Sequence, residues 1–327
     1  MPAYDETKLK QAQEASLKIL LEVDRICRAN GLSYFMDAGT LIGAARHQGF
    51  IPWDDDIDIA MTRENFEKFA ALLRPDRFPE TNRKKSKKNT GIETTNCAAG
   101  KTKPNRENDS AAAKKETEKS AALPETMELI LPDEYRGGRA FYDFTPRIIY
   151  QPSRRHAKSA ETAYYGGKLN HLWVDIFILD NLPDGRFPAF AVRFLQKCIY
   201  GFSMPRRYGL DFAKYSPKDR ARVHVLAFLG RLFRMPELFR MQEALSKRFD
   251  GKKTKRLYYS NYQPDYLYVT LKRESCAGAI ELPFEGHMLM APVGFEDVLH
   301  EIYGDYRKLP PESQRVPSHS DELEVLA

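Results

Sequence analysis

Residues 39–59 read GTLIGAARHQGFIPWDDDIDI, and the fold is decided by how this stretch is read. Gly39 and Thr40 open a short helix over residues 41–47. Further on, Asp56-Ile57-Asp58-Ile59 sets two carboxylates two positions apart with aliphatics between them. On a strand, side chains two apart share a face. The pattern therefore predicts Asp56 and Asp58 projecting together while Ile57 and Ile59 enter the core. Two carboxylates that close repel unless a cation lies between them. With no Cys or His beside them, they suit a hard ion such as Mg²⁺ or Mn²⁺. A helix N-terminus offers free N–H groups and the positive end of the helix dipole to phosphate. Gly39 lets backbone come close, and Thr40 can cap the helix or bond a phosphate oxygen. Together these features predict a metal–nucleotide site.

Composition narrows the class. The chain has 327 residues, 42% hydrophobic and 29% charged, ordinary values for a globular protein with room for a large core. Its net charge is +6. Residues 81–122 alone hold eleven Lys and Arg against five Asp and Glu, which accounts for the whole excess. The basic balance thus gives no support to a nucleic-acid-binding surface. That stretch has Ile92 as its one large aliphatic and cannot bury enough apolar surface to offset its ordering entropy, so it reads as a disordered insertion. An electrostatic tether to anionic lipid or polymer is the alternative. Cys27, Cys97, Cys198 and Cys276 stand far apart, which indicates neither a zinc site nor a disulfide framework. No signal pattern opens the chain and no apolar run is long enough to span a bilayer. The expectation is a cytoplasmic protein, at most in contact with the inner face of the membrane.

The chain divides as follows. Residues 1–80 form the first part of a catalytic domain: a helix over 5–30, a short strand at 34–37, the central stretch, and a helix over 65–73. The insertion at 81–122 comes next. Residues 123–185 complete the sheet, with strands over 141–149 and 172–179. The second of these, within HLWVDIFILD, carries Asp175 in an otherwise apolar run. A carboxylate there is costly to bury unless metal-bound or paired, for instance with a nearby Arg. Residues 186–250 read as a helical subdomain, divided at Pro205, Pro217 and Pro236, with Arg and Lys interleaved among aromatics. Its basic face is either simply solvated, a membrane-surface patch, or a pocket for an anionic acceptor. Residues 251–327 close the domain with a strand pair around 266–271 and 287–291 and a helix over 295–303.

The central stretch resembles the LicD family, which includes the fukutin-like proteins, whose pattern runs GTLLGAxRHxGFIPWDDDxDI. The closing segment GDYRKLPPESQR at 304–315 is also similar to the family's. The resemblance implies an α+β fold: a small, mixed, nucleotidyltransferase-like sheet flanked by helices. It implies transfer of phosphocholine, or a related phospho-alcohol, from CDP-choline or another CDP-alcohol to a hydroxyl of a cell-surface glycan, a lipopolysaccharide or a teichoic acid precursor. By the nucleotidyltransferase scheme, Asp56, Asp58 and Asp175 are the catalytic metal ligands. Gly39, Thr40, Arg46, His47 and Trp53 are then the donor-binding residues. Asp54 shares the parity of Asp56 and could reach the same ion. Arg46 could instead pair with an aspartate, and His47 with backbone. Trp53, Trp173, Tyr142, Tyr164 and Tyr165 are candidates for an aromatic box around a choline ammonium, against the plainer reading of each as core. The alternatives are a nucleotidyltransferase moving NMP from NTP to a small molecule, and a non-catalytic glycan-binding scaffold.

Overall fold

The computed structural model describes residues 5–78, 122–155, 159–317 and 323–326. The basic stretch at 81–122 falls outside them apart from Ala122. Helix α1 (Glu6–Ala29) is capped by Asp5, whose carboxylate accepts from the N–H groups of Thr7 and Lys8. It buries Ile19, Leu20, Val23 and Ile26 at helical spacing in the main core. That core also draws on Val298, Leu299 and Tyr306 near the far end of the chain.

A mixed sheet lies under α1. Its strands β1 (Phe35–Met36), β2 (Ile57–Thr62), β3 (Met127–Ile130), β4 (Arg147–Tyr150) and β6 (Leu172–Leu182) run in the order β1-β2-β6-β4-β3. The central strand is β6. One edge pairs in parallel with β2, from Ile57 opposite Val174 to Thr62 opposite Leu179. The other edge is shared in succession by β4, antiparallel over residues 172–175, and by β7 (Arg256–Tyr259), antiparallel over 179–182. Between them the carboxamide of Asn261 acts as a short piece of strand. It accepts from Ile178 N–H at 2.8 Å and donates to Ile176 C=O at 3.0 Å. Beyond β7 lies β8 (Thr270–Lys272). A separate hairpin, β9 (Ala279–Phe284) with β10 (His287–Pro292), leads to α8 (Phe295–Tyr303), and β5 (Ser153–Arg155) pairs with β11 (Leu323–Val325). The remaining helices are α2 (Ala38–His47), α3 (Arg63–Leu73), α4 (Ser159–Tyr164), α5 (Arg186–Ser203), α6 (Pro217–Gly230) and α7 (Met235–Ser246).

The mixed α+β class holds, and four local expectations change. Helix α2 begins at Ala38 because the Asp37 carbonyl already accepts the N–H of Leu41. Asp56 lies just before β2, since three successive aspartates disfavour a strand and the chain turns there through Asp54 N–H to Ile51 C=O. Of residues 141–149, only those from Arg147 are strand: Asp143 accepts the N–H of Thr145 in a turn, and Pro146 has no N–H to give a ladder. The segments at 266–271 and 287–291 do not pair with each other. The first contributes β8, paired with β7, and the second β10, paired with β9.

Candidate active site

Asp58 sits directly opposite Asp175 in the parallel ladder, and Asp175 directly opposite Arg147 in the antiparallel one. Residues opposed across a ladder point to one face. Three strands therefore present Asp58, Asp175 and Arg147 as one lateral row. The row opens on a cavity of about 240 Å³ whose walls include Asp55, Asp56, Asp143, Tyr142, Trp173 and Tyr262. Asp175, isolated in sequence, is thus brought beside Asp58.

The sheet fixes Asp58 through helix α2. Thr40 Oγ1 accepts the Asp58 N–H at 2.9 Å, and the Asp58 carbonyl accepts the N–H of Asp37 at 3.0 Å. Thr40 is buried, with its oxygen turned to the strand; Asp37, not Thr40, is the N-cap residue. Gly39 lies against Asp54: a β-carbon there would stand 2.5 Å from Asp54 Oδ2. Glycine at 39 leaves room for the Asp54 carboxylate to rest against the first turn of α2.

Arg147 is buried and held on several sides. It makes two bonds to Asp143, at 2.9 and 2.6 Å, and one to the Tyr135 hydroxyl at 3.3 Å. Its guanidinium lies 5.0 Å from the ring centre of Tyr142 and 5.2 Å from that of Trp173. Its Nε is 2.7 Å from Asp175 Oδ1. That approach is off the line of a hydrogen bond, and both atoms are buried without a hydrogen-bond partner. The other carboxylate oxygen of Asp175 accepts from Trp173 Nε1 at 3.2 Å. Asp175 is therefore both paired with an arginine and aligned with Asp58.

The acids strain against one another. Burial, then repulsion from Asp56 and Asp175, holds the Asp58 carboxyl well above the usual carboxylate range. Burial and the charge of Asp56 do the same to Asp54. Burial lifts Asp175 to about 6 against the opposing pull of Arg147. Asp37 is likewise lifted to about 6 by burial, against a hydrogen bond from the Tyr259 hydroxyl at 2.8 Å.

A hard cation fits this donor set. Asp54, Asp55 and Asp56 bring carboxylate oxygens within 4.8 Å of one another. Beside them Asp58 and Asp175 line the same cavity, the latter already ion-paired with Arg147. Oxygen ligands alone and excess negative charge suit Mg²⁺ or Mn²⁺. Among the described residues the carboxylate trio within that distance is the consecutive one, and its member Asp56 acts on the charge of Asp58, as Asp175 does.

Arg46, His47 and Trp53 stand elsewhere, outside the walls of that cavity. Arg46 Nη1 donates to the Tyr306 carbonyl at 3.0 Å and Nε to His47 Nε2 at 2.9 Å. The guanidinium of Arg315 lies 5.6 Å from the Trp53 ring centre. Burial and the like charge of Arg315 lower the Arg46 pKa, and burial and Arg46 lower that of His47. Of the aromatic-box candidates, Tyr142 and Trp173 line the acid cavity, with Arg147 already against both rings. Tyr165 is core, its hydroxyl donating to Phe141 C=O and accepting Tyr208 N–H, while the Tyr164 hydroxyl donates to Arg206 C=O. Sequence reasoning missed Arg147, Asp143 and Asp37. The signal for Arg147 was the one that found Asp175: a charge among apolar residues, in RIIY.

Residues 31–110 match the family model described as LicD/FKTN/FKRP, nucleotidyltransferase domain. The chain is 29% identical to the lipopolysaccharide cholinephosphotransferase LicD of Haemophilus influenzae, across 97% of this chain and 98% of that protein. It is also 42% identical to the human ribitol 5-phosphate transferase FKRP over 40 residues, 12% of this chain and 8% of that one. An uncharacterized protein of Rickettsia typhi, RT0683, is 38% identical over 56 residues, 17% of this chain and 18% of that one.

Proposed function

We propose, from the premise that this chain carries a LicD-family domain, that it is a LicD-like phosphocholine transferase. The donor is CDP-choline or a related CDP-alcohol, and the acceptor is a hydroxyl of a cell-surface glycan precursor. One observation carries the reading. The row of Asp58, Asp175 and Arg147 faces a cavity, in a chain similar along almost its whole length to a cholinephosphotransferase.

In this reading the acceptor oxygen attacks the phosphorus that bears choline. The bond from that phosphorus to the bridging oxygen breaks, and CMP leaves. The hydroxyl proton passes to a carboxylate of the row, a role this reading assigns to Asp175. Asp56, Asp58 and Asp175 would hold Mg²⁺ or Mn²⁺, which when bound neutralises charge on the pyrophosphate as that bond breaks. Arg147 keeps Asp175 oriented and offsets part of the negative charge. Thr40 and Asp37 fix the height of Asp58 in the sheet. The first turn of α2 lies beside the acidic loop at Gly39 and Asp54, and the free N–H groups of a helix start would favour the donor's phosphates there.

Product analysis tests this. Incubation with CDP-choline, Mn²⁺ and a glycan acceptor should release CMP and leave phosphocholine on the glycan. Release of pyrophosphate from CTP would indicate nucleotidyl transfer instead. Absence of both products, with no CDP-choline binding by calorimetry, would leave the scaffold reading.

A further inference from the structure

Helices α5 and α6 pack together at close range. A β-carbon on Gly230 would stand 2.1 Å from the Phe202 carbonyl oxygen, and one on Gly201 would stand 2.5 Å from Leu226. The pair leaves an unusual amount of apolar surface outside. Sixteen large hydrophobic side chains are exposed among the described residues, and eight of them lie between 187 and 232. Phe187 is 80% exposed, Phe190 58%, Phe194 52%, Val225 59%, Phe228 68% and Leu232 79%. On α5 the first three recur at helical spacing on the side opposite Ala189, Val192, Gln196 and Ile199, which are buried. Phe190 and Phe194 stack, with ring centres 5.8 Å apart. Helix α6 buries only Ala227 and Gly230. Scattered exposed hydrophobics are ordinary, whereas a concentration on two adjoining helices marks a contact surface.

Charge identifies the occupant. Residues 186–234 contain eleven Lys and Arg against two Asp, an excess of nine that the neutral total of the chain outside 81–122 conceals. Arg186, Lys197, Lys218 and Arg231 are exposed among the apolar side chains. A second copy docked through this face would set like charges together, which opposes association. A layer of anionic headgroups over hydrocarbon answers both features, accepting the aromatics while pairing the cations. No helix among the described residues is long and apolar enough to cross a membrane, so contact through these helices would be interfacial. We propose that α5 and α6 dock this protein on the surface of an anionic phospholipid bilayer, with Phe187, Phe190, Phe194, Phe228 and Leu232 entering the headgroup boundary. The placement uses none of the acid-cavity residues and stands independently of the transfer chemistry.

The test is co-sedimentation of the full chain with vesicles of phosphatidylglycerol and phosphatidylcholine, compared with phosphatidylcholine alone, at two salt concentrations. Binding should appear on the anionic vesicles and weaken with salt. The variant Phe187→Ser/Phe190→Ser/Phe194→Ser should partition at least tenfold less. A second variant, Phe228→Ser/Leu232→Ser, should also bind less. Because these side chains are exposed, both variants should keep the parent's melting temperature. All retain the basic stretch at 81–122, so its attraction is common to every protein compared. No binding to anionic vesicles, or equal binding by parent and both variants, overturns the proposal. So does a parent that sediments as a dimer without lipid while the variants are monomers, because the face would then be a contact between copies.

Discussion

The Arg147 guanidinium approaches Asp175 Oδ1 to 2.7 Å while both of its terminal nitrogens are committed to Asp143. One buried cation thus serves two acids, Asp143 buried and Asp175 half-buried. Arg147→Met would leave both carboxylates uncompensated, and breaking a buried pair in this way costs roughly 3–5 kcal/mol. Urea unfolding should show that loss as a shift in midpoint. Arg147→Lys keeps the charge and loses the two-pronged geometry, so its loss should be intermediate. A Met variant as stable as the parent would show that Arg147 does not carry this compensation.

Asp58→Asn separates stability from function. Asp58 lies among Asp56, Asp175 and Asp37, all of which disfavour its charge. Removing that charge should stabilise chelator-treated protein at neutral pH by about 1–2 kcal/mol, read as a higher melting temperature. Turnover should fall by roughly a thousandfold or more if the carboxylate supports transition-state charge. A variant that is both less stable and fully active would remove Asp58 from the proposed site.

Much of this site is legible in one short stretch, and the rest is not, for a physical reason. Asp56 and Asp58 are neighbours in sequence, so the pattern finds them. Asp175 shows itself because a charge in an apolar strand needs a partner. Which partner it has depends on strand register, and the lateral row of Asp58, Asp175 and Arg147 joins residues separated by long connections. The role of Thr40 is obscured likewise. A Thr at a helix start suggests a cap, whereas its oxygen is engaged by an N–H that a distant strand brings up. Helix periodicity was more secure: α1 and α8 follow their apolar spacing closely, because each covers the core along one face.

Stability should respond to pH through the same acids. Asp37 and Asp175 are raised to about 6 in the folded chain, and Asp54 and Asp58 are raised well above their ordinary value. A carboxyl raised on folding holds a proton that the unfolded chain releases. For Asp37 and Asp175 that contribution is therefore complete below the unfolded value, near ~4, and is lost as pH rises through about 6, and for Asp54 and Asp58 it is lost in the same direction. Chelator-treated protein should melt lower at pH 7.5 than at pH 5, and Asp58→Asn should reduce that difference. Mn²⁺ should raise the melting temperature more at pH 7.5, where the carboxylates are ionised, than at pH 5. Equal or absent stabilisation at both values would count against a cation at this cluster.

Gly39→Ala should act on the acidic loop more than on the fold. The added methyl would meet Asp54 Oδ2, the end of a movable side chain, so Asp54 would swing aside at small cost in stability. If Asp54 contributes to a cation site with Asp55 and Asp56, Mn²⁺ affinity measured by calorimetry should fall about tenfold. An unchanged affinity would place Asp54 outside it.

Thr40 discriminates between two roles for the start of α2. Its oxygen accepts the Asp58 N–H, so Thr40→Val would leave that N–H without an acceptor, at a cost of about 1–3 kcal/mol. The misplacement of Asp58 should then appear chiefly in kcat, with Thr40→Ser retaining both stability and rate. If the hydroxyl instead meets the donor's phosphate, Thr40→Val should raise the KM for CDP-choline while leaving the unfolding midpoint unchanged. The two outcomes differ in both readouts, and the observed hydrogen bond predicts the first.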